Sequence, residues 1–421
     1  MRRRLFAAVT VLAAFAPAIW TSPATADLAQ PRVVSANPVD FTPHVLDGTV
    51  WSLALVGDTV VVGGSFTKVT DSRRRHTYAR KNVFAYGLKD GAVRAFAPAV
   101  NGPVYALAAG ASSTVYLGGS FKTVNGTAQR GLARVSVADG RRISTFGGRI
   151  NWGDVRALHV SGSRLYAGGT FSAINGVART GLARMNPVTG AVDTGFNARL
   201  SAPGLSRTRV EHFDISPDGT RLVAIGALLR SGSVERTQLA MFNVSGATAV
   251  LSSWYTDAYK PQCMKGFDTY LRQVKFSPDG RYFVVAATGR ASSSTKLCDS
   301  AARFETAGAG RHRPTWVQRT GGDSLYAVAV TGAAVYVGGH LRYLNNPNGS
   351  DAKGPGPGAV SRVGIGAVSP TTGKALAWNP TRARGVGVRA FLVTPRGLIV
   401  GSDTDQLGHE YHGRLGMFPV T

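Results

Sequence analysis

The sequence predicts an all-β protein, namely a seven-bladed β-propeller with four-stranded antiparallel blades. Three observations favour this fold: a glycine-rich composition with few charges, one strand pattern that recurs along the chain, and an aromatic residue that accompanies each recurrence. Of the 421 residues, 52 are glycine and 17% are charged, which disfavours helical bundles and coiled coils. The hydrophobic content of 44% is enough to bury a large core.

The recurring pattern is an alternating strand, a short turn and a second strand that ends in Gly-Gly. It is clearest in residues 50–66, 104–121 and 155–171, and its alternation and punctuation are those of a β-hairpin. Seven strand openings follow one another along the chain, at Val50, Val104, Val155, Val210, Leu271, Leu325 and Val388. An aromatic residue precedes each opening, at Phe41, Phe96, Phe146, Phe196, Trp254, Trp316 and Trp378. Seven openings predict seven blades.

The two ends of the chain are expected to complete one blade together. After Val388 there is room for only three strands, whereas residues 41–50 resemble residues 96–104, which end a blade. We therefore expect an N-terminal strand to join the last blade and close the ring. Closure of this kind leaves only short, protected sheet edges.

The first residues have the pattern of a secretory signal peptide. Arg2, Arg3 and Arg4 precede an apolar run over residues 5–20, and Ala24-Thr25-Ala26 is a small-residue cleavage site. We expect residues 1–26 to be removed, leaving residues 27–421 as a single propeller domain that is secreted to the extracellular medium. The apolar run is too short to span a bilayer, so no membrane span is expected.

At its Gly-Gly-Ser-Phe and Gly-Gly-Thr-Phe sequences the chain resembles a known family. These sequences end at Phe66, Phe121 and Phe171, and Val124-Asn125-Gly126 adds to the likeness. Over about residues 50–196 the chain resembles the secreted bacterial proteins built of delta-60 repeats, a β-propeller family of undefined function. The resemblance implies a fold and an extracellular setting and supplies no catalytic residues. Further along, turns such as Pro217-Asp218-Gly219 are similar to those of TolB-type propellers.

One face of the predicted propeller carries the long connections, namely those between strands two and three and those between blades. The chain has 48 Lys and Arg against 23 Asp and Glu. Basic clusters in these long connections would attract an extracellular polyanion, a carbohydrate or a surface protein. Nucleic acid is expected only as a non-specific polyanion. A solvated, Arg-rich surface and tolerated loop insertions are the alternatives. The candidate ligand-binding residues are Arg73, Arg74, Arg75, His76, Arg80, Lys81, Arg207 and Arg209.

The two cysteines, Cys263 and Cys298, fall in loops of that face on the fifth blade. We expect a structural disulfide there rather than a reactive thiol pair, because secreted proteins fold in oxidising surroundings.

No catalytic or metal-binding motif is recognisable in the sequence. There is no Gly-x-Ser-x-Gly elbow, zinc-binding helix, Cys-x-x-Cys pair or phosphate-binding loop. The densest group of potential metal ligands, His409 to His412 beside Asp403 and Asp405, is interpreted as a solvated loop. We predict no catalytic residue, metal or cofactor, and a monomeric binding or scaffold protein. The alternative is a propeller enzyme acting on polysaccharide, a lyase or a glycoside hydrolase.

Overall fold

The computed structural model of the chain describes residues 30–264, 266–290, 295–348, 354–381, 383, 385 and 387–421. All regular structure in these residues is β-strand, which confirms the all-β prediction. No helix that could cross a membrane is found in this part of the chain. The predicted signal peptide, residues 1–26, lies outside the described residues.

The described strands form seven main antiparallel sheets, which we number sheets 1 to 7 in chain order. Sheets 1 to 3 consist of Val50–Val56, Thr59–Gly64 and Val83–Gly87; Val104–Gly110, Thr114–Gly119 and Leu132–Ser136; and Val155–Ser161, Arg164–Gly169 and Leu182–Met185. Sheets 4 and 5 consist of Arg209–Ile215, Arg221–Ala227, Leu239–Asn243 and Val250–Leu251; and Leu271–Phe276, Tyr282–Ala287, Ser300–Glu305 and Trp316–Arg319. Sheets 6 and 7 consist of Leu325–Val330, Val335–Gly339 and Ile365–Val368; and Ala390–Thr394, Gly397–Gly401 and Leu415–Pro419. We call the first strand of each sheet its inner strand.

A fourth regular strand is present only in sheets 4 and 5 among the described residues, which differs from the four-stranded pattern expected for every blade. In sheets 1, 2, 3 and 6 the fourth position is reduced to one isolated bridge, such as Val135 to Arg142. The chain leaves the sheet directly afterwards, because a tight turn in which Phe146 N donates to Ile143 O brings the aromatic ring of Phe146 into the core. Burial of the aromatic ring thus replaces further strand pairing.

A second tier of short strands lies in connections that the sequence pattern left as loops. In one of these pairs, Asn125 and Gly126, with φ of 50° and 77°, form the tight turn between the two strands. This conformation is expected for an Asn-Gly hairpin. The pairing sets are His44–Val45 with Lys68–Thr70 and Thr77–Ala79; Thr123–Val124 with Thr127–Ala128; Ala173–Ile174 with Val177–Ala178; Leu200–Ser201 with Arg230–Ser231 and Val234–Glu235; Tyr343–Leu344 with Val360–Ser361; and Gln406–Leu407 with Glu410–Tyr411.

The described hydrophobic core consists of seven clusters, and each one lies between two sheets. Six clusters join sheets that are neighbours in chain order. The seventh joins sheet 7, through Ile399 and Met417, to sheet 1, through Val50 and Val60. Every main sheet therefore buries both of its faces.

The Gly-Gly pairs allow neighbouring sheets to approach closely. A Cβ atom on Gly63 would lie 2.8 Å from Cγ1 of Val104, the opening residue of the next sheet. Gly401 has the same relation to Val50, with a distance of 2.5 Å. Because any side chain at these positions would overlap the neighbouring sheet, the glycines are required for packing.

The segment before Val50 runs beside the last strand of sheet 7 without forming a regular strand there. Ser35 N donates to Pro419 O at 2.8 Å, and Val39 N donates to Met417 O at 2.9 Å. Nε1 of Trp378 donates to Ser35 O at 3.0 Å. These contacts connect residues that are more than 300 positions apart in the sequence.

Candidate functional site

A cavity of about 330 Å³ opens between the inner strands of the seven sheets. Each of these strands contributes residues to its wall. We call it the axial cavity. Its wall includes one residue from the beginning of each inner strand. These residues, which we call the bulge ring, are Trp51, Tyr105, Arg156, Glu211, Arg272, Tyr326 and Arg389.

A β-bulge at the start of the inner strand explains why these side chains face the cavity. In sheet 1 the pairing with the second strand shifts between Val50 and Ser52, so that Trp51 is the extra residue. The same shift occurs at the ring position in sheets 2 to 6. In sheet 7, Arg389 N donates to the oxygen of Gly401, the residue that pairs with Ala390. Bulges re-aim single side chains in this way and are common beside functional sites.

The aromatic members of the bulge ring contact one another and the arginines. The rings of Trp51 and Tyr105 meet edge to face with centroids 5.8 Å apart. The guanidinium of Arg389 lies 3.9 Å from the ring centroid of Tyr326 and 5.0 Å from that of Trp51. Arg156 lies 5.9 Å from the centroid of Tyr105. Cation–π contacts of this kind hold an arginine in place without neutralising its charge.

Arg156 and Glu211 form the paired side of the ring. Arg156 contacts Glu211 at 3.0 Å and Asp154 at 3.1 Å, and Arg209 lies 2.9 Å from the other oxygen of Glu211. Burial alone would lower the pKa of Arg156, but the two carboxylates raise it above its usual value. On this side of the cavity the positive charges of the arginines and the negative charges of the carboxylates neutralise one another.

Arg272 and Arg389 form the unpaired side of the ring. Neither guanidinium makes an ion pair with a carboxylate in the described part of the chain, and burial lowers the pKa of both groups. One terminal nitrogen of Arg272 donates to the carbonyl oxygens of Thr269 and Leu271, at 3.2 and 3.1 Å. The cavity therefore has an excess of positive charge on this side.

A polar cluster separates the axial cavity from a second cavity of about 460 Å³ further along the inner strands. Buried Asp214 accepts from Lys275 Nζ at 3.2 Å and from Phe276 N at 2.9 Å, and His159 Nδ1 lies 3.5 Å away. Burial opposes ionisation of Asp214, yet Lys275 and His159 hold its pKa well below the usual range. Burial and the charge of Lys275 lower the pKa of the neighbouring His212 to about 3, so that His212 is neutral at pH 7.

The predicted cluster at Arg73, Arg74, Arg75 and His76 lies outside the axial cavity, and we call the exposed positions of these residues and of Arg207 the rim. It is an exposed turn in which Arg75 N and His76 N donate to the carboxylate of Asp71. Arg74 lies 4.8 Å from the ring centroid of Tyr411. Arg80 donates to the carbonyl oxygens of Ala79 and Arg94, and Lys81 is exposed.

The second predicted cluster, Arg207 and Arg209, is divided between the rim and the residues that contact the bulge ring. Arg207 lies 5.8 Å from the ring centroid of Trp152, whose exposed fraction is 41%. Arg209 contacts Glu211 and so supports the bulge ring. The bulge ring itself was not predicted, although its members share one signal: each directly follows the first residue of a strand opening.

Cys263 and Cys298 form the predicted disulfide, with Cα atoms 5.7 Å apart. Both residues are buried in the core cluster between sheets 4 and 5. The bond fixes the connections beside sheet 5.

The family model described as a domain of unknown function (DUF5122) β-propeller matches residues 163–196. This segment contains Gly168 to Phe171 and lies in the region that resembles delta-60 repeats. Together with the all-β architecture, the match indicates a β-propeller fold. No curated protein matches the chain in sequence.

Three solved structures illustrate the likeness to known folds. The computationally designed protein Ika8 is 11% identical, with a TM-score of 0.49, over 92% of this chain and 100% of its own. The WD40 β-propeller domain of Doa1 is 9% identical, with a TM-score of 0.47, over 87% of this chain and 95% of its own. Hydrazine synthase of Kuenenia stuttgartiensis is 16% identical, with a TM-score of 0.42, over 71% of this chain and 76% of its own.

Proposed function

We propose that this chain is a secreted, monomeric β-propeller of seven blades that binds an anionic or carbohydrate polymer outside the cell without processing it. The binding role rests on one observation, the axial cavity, in which arginine and aromatic side chains from six sheets converge with Glu211 of sheet 4. Pockets that combine apolar walls with a few convergent polar groups are the usual form of ligand sites.

Three contacts between sheets 7 and 1 support closure of the seven sheets into a ring. Sheet 7 shares a core cluster with sheet 1, Gly401 packs against Val50, and Arg389 lies over Trp51. Each repeats a relation that consecutive sheets have elsewhere. The hydrogen bonds of Ser35 and Val39 to the last strand support the proposal that the N-terminal segment takes the position of a fourth strand of sheet 7.

The lining of the cavity favours binding over glycoside hydrolysis. Glu211 is the single carboxylate residue among the described residues that line the axial cavity, and it is paired with Arg156 and Arg209. Glycoside hydrolysis usually needs two carboxyl groups that flank the bond to be broken. An anionic ligand, in contrast, would complement the unpaired arginines.

Two features support secretion. Residues 1–26 have the pattern of a signal peptide, and the disulfide between Cys263 and Cys298 is compatible with an oxidising compartment.

The test is a binding screen of the purified protein, without residues 1–26, against neutral and acidic polysaccharides and other polyanions. The screen is run at about 50 mM and about 200 mM salt, since contacts between cations and polyanions weaken with salt. We expect retention on at least one acidic polysaccharide and weaker retention at the higher salt. Retention on none of the polymers, salt-independent retention on an acidic polymer, or the release of shortened products from the polysaccharide would contradict the proposal.

A further inference from the structure

We infer that the axial cavity is a site for one acidic sugar unit of the uronate type, whose carboxylate lies between Arg389 and Arg272. This inference rests on the proposed function and names its ligand and the residues that recognise it. It also moves the specific contact away from the rim arginines that the sequence favours.

Arg389 supplies the first cation of the proposed site. Its guanidinium lies over the rings of Tyr326 and Trp51, and its side chain makes no hydrogen bond or ion pair within the described residues. Arg389 is half-buried, so its charge is only partly solvated, and a carboxylate would supply both the opposite charge and the acceptor oxygens. Because the contacts with the rings use no hydrogen-bond donor that an acceptor already occupies, the N–H groups of Arg389 stay available for a bidentate contact.

Arg272 supplies the second cation. One of its terminal nitrogens is used by two main-chain oxygens, and no carboxylate among the described residues pairs with it. Burial lowers its pKa, the charge of Glu211 opposes this effect, and the charges of Arg209 and Arg389 lower the pKa further. An anion held between these two arginines would offset the free-energy cost of their partial burial. It would also reduce the repulsion between their charges.

The remaining wall fits a hydroxyl-bearing ring with a single charge. Trp51, Tyr105 and Tyr326 offer aromatic surface to the cavity. Glu211, on the paired side of the ring, accepts from sugar hydroxyls but repels a second negative charge. The charge distribution therefore suits one carboxylate on a polar ring better than a tract of phosphates.

The size of the cavity agrees with this ligand. At about 330 Å³, it lies near the lower end of the range of roughly 300–1,000 Å³ for small-molecule sites. A sugar unit fits such a space, whereas a nucleic-acid duplex does not.

The experiment measures Kd by calorimetry for a panel of galacturonate, glucuronate and mannuronate oligomers and their carboxyl-reduced, neutral counterparts. Arg389→Gln removes the charge, Arg389→Lys keeps it without the planar fork, and Arg272→Gln tests the second cation. We expect the wild type to prefer one uronate over its neutral counterpart. Arg389→Gln and Arg272→Gln should each weaken that binding about 10- to 100-fold, the usual effect of losing a charged hydrogen bond, and Arg389→Lys should weaken it less than Arg389→Gln.

The matched control is the double variant Arg73→Ala and Arg75→Ala, which removes charge from the exposed rim. Its uronate binding should stay within about twofold of the wild type, because rim charges mainly affect association rates. If the rim variant loses binding while Arg389→Gln and Arg272→Gln keep it, the axial site is wrong although the proposed function stands. If the wild type binds no anionic polymer at all, both fail. Thermal unfolding of each variant shows whether it is folded.

Discussion

Arg156 and Arg389 occupy equivalent positions at the start of their inner strands but have different surroundings. Arg156 is neutralised by Asp154 and Glu211, whereas Arg389 lies over two aromatic rings and has no carboxylate partner in the described part of the chain. The neighbouring sheet decides the difference, since it supplies Glu211 in one case and Trp51 in the other. Residue type alone therefore does not show which arginine is available to a ligand.

His212 gives a testable consequence of burial at the scale of one residue. Its pKa in the folded protein is about 3, below the usual value of 6.5, so between these values the unfolded chain binds a proton that the folded protein does not. Linkage then requires that the free energy of unfolding falls as the pH falls through this window, by about 2 kcal/mol between pH 7 and pH 5. The depressed pKa of Asp214 has no effect there, because that group stays ionised in both states.

The prediction is that His212→Gln removes this part of the pH dependence. Chemical denaturation at pH 7 and pH 5 should show that the variant loses about 2 kcal/mol less free energy of unfolding than the wild type does. His44 and His412, whose pKa values burial also lowers, are present in both proteins and cancel in the comparison. Equal losses in the two proteins would show that His212 is not held in its neutral form.

At the scale of the element, the sequence predicts the hairpins well and their ends poorly. The seven openings from Val50 to Val388 mark the inner strands, because alternation over six or seven residues and a following turn are strong local signals. The bulge ring is not predictable in the same way. Trp51 or Arg156 reads as an ordinary residue of an alternating strand, and only the pairing with the second strand reveals the extra residue.

The Gly-Gly pairs allow a direct test of sheet packing. Gly118→Val would place its Cβ 2.7 Å from Cγ1 of Val155 on the next sheet. We expect the free energy of unfolding to fall by about 1–3 kcal/mol, the usual cost of overpacking. Chemical denaturation measures the change.

Gly246→Val is the matched control, because a Cβ at Gly246 would meet no atom within 4 Å. Its effect should stay within about 0.5 kcal/mol, as for most surface substitutions. A similar loss in both variants would mean that the loss at Gly118 does not come from contact between the sheets.

At the scale of the whole molecule, the sequence predicts the role of the N-terminal segment but not its details. The likeness of residues 41–50 to residues 96–104 led to an expected strand that joins the last blade. In the structure, residues 35 and 39 make the hydrogen bonds to the last strand, while His44–Val45 pairs with Lys68–Thr70 in the second tier. Contacts over more than 300 positions leave no periodic signal in the sequence, so their register could not be predicted.

Removing residues 30–40 should therefore destabilise the entire molecule. The deletion leaves Nε1 of Trp378 without its acceptor, exposes the edge of the last strand and removes buried Val34. We expect a single unfolding transition at lower denaturant concentration, with a loss of about 3 kcal/mol or more in the free energy of unfolding. Circular dichroism and tryptophan fluorescence should report the same midpoint.

Deletion of exposed Thr421 is the control and should leave the midpoint unchanged. An unchanged midpoint after removal of residues 30–40 would show that sheets 7 and 1 associate without the N-terminal segment.

The most direct test of the whole account is a crystal structure of the protein with a bound uronate oligomer. We expect seven sheets in a closed ring, with the sugar in the axial cavity and its carboxylate within hydrogen-bond distance of Arg389 and Arg272. A sugar bound at Arg73 to Arg75 on the rim beside an empty cavity, or a gap between sheets 7 and 1, would contradict it.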